Sequence, residues 1–169
     1  MRVIEKVVYQ FSELSEDAKE CAAMIGLDID KIYFSGFSSQ GDGACFIGSY
    51  GYKKQALQSI TRHAPEDEEL IRIAEQLQKL QKQAFYGLKA NTHHHGRYYH
   101  ENSISIECEH INRYITYNEE EDLKELLRAF CRWVYKQLEN DYDYQMSDSV
   151  IDENIISNAY EFDINGNIV

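Results

Sequence analysis

The chain has 169 residues, 43% of them hydrophobic, enough to bury one core without disulfide or metal staples. It carries 29 acidic against 17 basic residues, a formal net charge of -12, and a single proline, Pro65, which excludes a disordered or Pro-rich linker protein and disfavours direct binding to nucleic-acid phosphate. No apolar run approaches the roughly 20 residues that cross a bilayer.

Arg2 to Phe11, with Val3, Val7, Val8, Tyr9 and Phe11, reads as a first strand. Ser15 is a good N-cap for a helix on Ala18, Cys21, Ala22 and Ile25 that Gly26 can close. Lys31 to Phe37 and Ala44 to Tyr52 read as two strands of a hairpin around the Ser39-Gln40-Gly41-Asp42-Gly43 turn. Lys53 to His63 suits a short helix. Pro65 and the acids from Glu66 to Glu69 open a longer one, whose Leu70, Ile73, Ala74, Leu77, Leu80 and Ala84 form an apolar stripe and whose stop is Gly87.

His93 to His95 read as a polar turn, followed by strands over Arg97 to Tyr99 and Ser103 to Tyr117, where Ile104, Ile106 and Cys108 alternate with Ser105, Glu107 and Glu109. Asn118 with Glu121 resembles a capping box for a helix that buries Leu123, Leu126, Leu127, Phe130, Val134 and Leu138. Ser147 starts another helix, and Asn165-Gly166 is a turn. The expected fold is a single α+β domain over residues 1–169, an antiparallel sheet of about four to six strands with helices packed mainly on one face and an acidic C-terminal helical part.

Two segments stand out as candidate sites. The loop between the hairpin strands holds Gly36, Gly41 and Gly43, which permit backbone angles other residues avoid, together with Gln40 and Asp42. From Glu139 onward the chain has eight acids and no Lys or Arg; this acidic part is preceded by Tyr135 and interleaved with Tyr142, Tyr144 and Tyr160. Such a face suits a basic groove on a protein that acts on nucleic acid, since it places negative charge where phosphate would sit. The expected binding residues are Gln40, Asp42, Arg97, Asp141, Tyr142, Asp143, Tyr144 and Asp148. Arg97, between Gly96 and two tyrosines, suits a carboxylate or phosphate through its planar fork, or a tie back to Asp42.

The alternative chemistry is nucleophilic. Asp42-Gly43-Ala44-Cys45-Phe46 departs by one residue from the Asp-Gly-x-Cys-x-x-Phe loop of ovarian-tumour-type cysteine proteases, in which the Cys opens a helix. Here the following residues read as strand, so Cys45 would lack the helix N-terminus that activates a thiol. That reading centres a hydrolase on Cys45, with His95 or His100 as base and Asp42 beside them. Cys21, Cys45, Cys108 and Cys131 include no Cys-x-x-Cys pair, and adjacent histidines in an extended segment point to opposite sides, so free thiols, no metal and no cofactor are expected.

Tyr33 to Phe46, with Tyr86 and then His95-Gly96-Arg97-Tyr98-Tyr99-His100, resembles a group of small uncharacterised proteins of phages and bacterial mobile elements, some of them labelled antitoxins of toxin–antitoxin stability systems. The resemblance implies neutralisation of another protein, a host or toxin component with a basic surface, in the bacterial cytosol. Met1 to Lys6 lacks the apolar core of a secretory signal, in keeping with a cytoplasmic location. No direct nucleic-acid or membrane partner is expected, and a homodimer stays open.

Overall fold

The computed structural model describes residues 16–34, 42–96, 99 and 101–145. The strand expected over Arg2 to Phe11, the Ser15 cap, the helix from Ser147 and the Asn165-Gly166 turn lie outside those residues. Helix α1 spans residues 16–25 and turns at Gly26 into β1 (Leu27–Phe34), which is followed by β2 (Ala44–Gly51). Helices α2 (Ala56–His63) and α3 (Glu68–Gln83) lead into β3 (Leu88–His94) and β4 (Ile104–His110), and α4 (Tyr117–Gln145) closes the described chain.

The four strands form one antiparallel sheet in sequence order, β1-β2-β3-β4. Phe34 pairs with Ala44, so the two strands flanking the glycine-rich loop are the expected hairpin. In β3, Leu88, Ala90 and Thr92 are buried while Lys89, Asn91 and His93 are exposed; in β4, Ile104 and Ile106 face inward against Ser105 and Glu107. This period-two pattern is that of a sheet covered on one face and wet on the other. The covering layer is α3 and α4, through Leu70, Ile73, Leu77, Leu123, Leu127, Phe130, Val134 and Leu138, and Phe46 of β2 meets Phe130 edge-on at 5.8 Å. The α+β class with helices on one face is therefore the observed architecture.

Several boundaries differ from the expected ones, each for a local reason. His93 and His94 are not a turn but the end of β3, a strand whose small and polar residues have weak strand propensity and which forms because it lies between β2 and β4. Ser103 to Tyr117 is not one long strand: pairing ends at His110, and Tyr114 is 96% exposed. The box that opens α4 is Thr116 with Glu119, not Asn118 with Glu121: Glu119 N–H donates to Thr116 Oγ1 at 3.2 Å and Thr116 N–H donates to Glu119 Oε2 at 3.1 Å. Asp67, rather than an earlier residue, caps α3 by accepting from Leu70 N–H at 3.0 Å.

Gly87 does not supply the left-handed stop of α3. Phe85 (φ 54°) and Tyr86 (φ 61°) take that conformation, and Tyr86 N–H donates to Gln81 O at 2.7 Å in a Schellman-like closure. Gly87 is needed for space, because a Cβ there would collide with the His110 ring. That ring is fixed from both sides: Asn112 N–H donates to Nδ1 at 3.1 Å, which leaves the proton on Nε2 to donate to Ala84 O at 2.8 Å. Gln81 is fully buried and holds the start of β3, its Nε2 donating to Leu88 O at 2.9 Å and its Oε1 accepting from Leu88 N–H at 3.1 Å.

Candidate functional site

The end of the glycine-rich loop and the C-terminal half of α4 form a cleft of about 520 Å³. Asp42 and Gly43 line it from the hairpin, Glu101 and Asn102 from the turn before β4, and Arg132, Tyr135, Lys136 and Glu139 from α4. Helical periodicity makes the α4 wall. Leu127, Phe130, Val134 and Leu138 turn into the core, so Arg132, Tyr135 and Glu139, spaced by three and four residues, share the adjacent stripe. Trp133 anchors the helix, stacking with Phe130 at 5.4 Å and donating from Nε1 to Asp67 Oδ2 at 2.8 Å.

The electrostatics of the cleft are those of a partly neutralised acidic surface. Arg132 pairs with Glu101 on one side and with Glu125 Oε1 at 2.7 Å on the other, so its charge is spent within the protein. Tyr135 is half-buried, and its hydroxyl is pushed up, first by desolvation and then by the negative charges of Glu139, Asp42 and Asp143. Asp42 from the loop and the acids of α4 thus converge on one tyrosine, although about 100 residues separate them in sequence.

Of the expected binding residues, the structure joins Asp42 to the acidic end of α4, and Asp143 is exposed on that helix. Asp141, Tyr142 and Tyr144 lie in the last turns of α4, but their side chains fall outside those described, as do Gln40, Arg97 and Asp148 as whole residues. Tyr135 and Glu139 emerge as central to the cleft; their i, i+4 spacing beside the buried stripe is the sequence signal that could place them.

The nucleophilic alternative meets a different setting. Cys45 is the second residue of β2, 1% exposed, and burial pushes its thiol up to about 11. A neutral, enclosed thiol on a strand has neither the access nor the depressed pKa of an attacking group. His95 donates its backbone N–H to Ser103 O at 2.9 Å and is exposed, while His100 lies outside the described residues. His93 Nε2 sits 4.0 Å from Glu107 Oε2, and His94 packs against Tyr33 and Tyr99 at 5.5 and 4.8 Å. Successive histidines therefore serve opposite faces of β3.

Among the described residues, no helix is long and apolar enough to cross a membrane. No curated protein and no solved structure matches the chain. Residues 11–148 match one family model, a span that takes in α1 through α4 and the whole cleft: the chain belongs to the family described as domain of unknown function DUF8835.

Proposed function

We propose that the protein is a non-catalytic inhibitor or antitoxin of phage or mobile-element type, acting in the bacterial cytosol, that neutralises a nucleic-acid-acting host or toxin protein. Its contact surface is the acidic, Tyr-bearing cleft of Asp42, Tyr135 and Glu139, continued along the end of α4 through Asp143. The observation that carries this reading is the convergence of the loop acid and the helix acids on Tyr135. Clustered acids around an amphipathic ring suit a groove built for phosphate and stacked bases, where Tyr supplies apolar area and a hydroxyl at low entropic cost. Among the described residues, the last turn of α4 holds no basic residue that would offset these acids.

The test is capture from nuclease-treated bacterial lysate with the parent chain and with an Asp42→Asn/Glu139→Gln/Asp143→Asn variant, followed by assay of the captured enzyme. A nuclease, polymerase or other nucleic-acid enzyme should be retained and inhibited by the parent. With the variant, association should slow by about tenfold and its salt dependence should flatten. Recovery of only chaperones and ribosomal proteins, or equal inhibition by the variant, would overturn the proposal.

A further inference from the structure

Away from the cleft, the first two helices bring together three groups of the kind that ligate transition metals. Asp17 and Cys21 stand four residues apart on α1 and so share one face, and His63, the last residue of α2, meets them from across the interface. One carboxylate oxygen of Asp17, the Cys21 Sγ and one ring nitrogen of His63 all lie within 4.8 Å of one another. We propose that Asp17, Cys21 and His63 form a binding site for a zinc-class divalent cation that ties α1 to α2.

The geometry needs little adjustment. Bonds of about 2.0–2.3 Å to a tetrahedral ion set its ligand atoms roughly 3.3–3.8 Å apart, and His63 Nε2 already lies 3.6 Å from Asp17 Oδ1. The side chains that must move are the free ones: those of Asp17 and His63 are 54% and 33% exposed, while Cys21 is held in the core at 2% exposure. The donor set selects the ion. A thiolate, an imidazole and a carboxylate suit zinc and its neighbours, whereas magnesium and calcium take oxygen ligands throughout.

The charge of the surroundings agrees with a dication. Asp67 stands close enough to act on Cys21 electrostatically, but its oxygens are engaged by Leu70 N–H and Trp133 Nε1–H, so it adds field without competing as a ligand. On coordination the Cys21 thiol gives its proton to solvent and the sulfur binds as thiolate. Three protein ligands leave the fourth position to water, on the side where Asp17 and His63 are exposed. The proposal is independent of the acidic cleft, which shares none of these residues.

The experiment uses the full chain, stripped of metal with a chelator and titrated with zinc against a chromophoric competitor, then with cobalt as a spectroscopic probe. One equivalent should bind, and cobalt should give a thiolate-to-metal charge-transfer band. His63→Ala and Asp17→Asn change exposed side chains, so the fold should persist while affinity falls by at least about 100-fold, beyond the loss typical of an outer-sphere partner. Cys21→Ser should remove the band. No stoichiometric uptake by the parent, a cobalt spectrum without the thiolate band, or affinity unchanged in His63→Ala and Asp17→Asn would overturn the proposal, as would loss of binding in His93→Ala instead.

Discussion

Replacing Gln81 with Leu should be among the most damaging single changes in the described core, although it keeps the side-chain volume and adds apolar surface. Gln81 is fully buried at the end of α3, and its amide takes up both backbone groups of Leu88, N–H and C=O, while also donating to the Tyr50 hydroxyl at 3.2 Å. Leu88 is itself 1% exposed, so water cannot replace the lost partners. Each buried backbone group left unsatisfied costs about 1–3 kcal/mol, which puts the loss at about 2–6 kcal/mol, a large share of a typical domain's stability. Urea unfolding followed by circular dichroism reads it as a midpoint lowered by about 1–3 M, for a slope of about 2 kcal/mol per molar. Tyr50→Phe is the internal comparison. It removes only the secondary contact and should cost about 0.5–1.5 kcal/mol. A Gln81→Leu midpoint within about 0.5 M of the parent, at that same slope, would refute the reasoning, because the Leu88 groups would then have found other partners.

The box that opens α4 should make stability depend on acid pH. The Arg113 guanidinium beside Glu119, together with the Thr116 N–H, holds that carboxyl down at about 2 against an ordinary 4.5, so its contribution is full above the unfolded value and is lost as pH falls from about 4.5 toward about 2. Glu119→Gln should flatten that part of the stability–pH profile, whereas Thr116→Ala should lower stability by about 0.5–2 kcal/mol; a Glu119→Gln profile superimposable on the parent's would contradict the assignment. The four thiols should separate in rate toward a disulfide reagent under native, mildly alkaline conditions. Cys108, half-buried, should react first, and Cys21, Cys45 and Cys131 only on unfolding, since burial leads the causes that push every one of these thiols up. Rapid native-state modification of Cys45, mapped by mass spectrometry, would revive the nucleophilic reading.

Elements whose signal is local are legible in the sequence by itself. The apolar stripes of α3 and α4 repeat every three or four residues, and the strands around the glycine-rich loop are bounded by turn residues and rich in aromatics, so periodicity and propensity point the same way. The strand β3 is not legible in that way, because Ala90, Asn91 and His93 carry little strand propensity; it forms where β2 and β4 supply hydrogen bonds on both sides. The acidity of the C-terminal part is equally plain in composition, but not that Asp42 joins it at Tyr135. Gln81 reads as an ordinary polar residue of an amphipathic helix until the chain reverses and sets Leu88 over it. Asp17 and Cys21 share a helix face at four-residue spacing, but nothing in the sequence ties them to His63, which reaches them from a second helix on the far side of a hairpin. Local free-energy preferences are written in neighbouring residues, whereas partners brought together by packing depend on how separate elements share one core, and only the tertiary structure decides that.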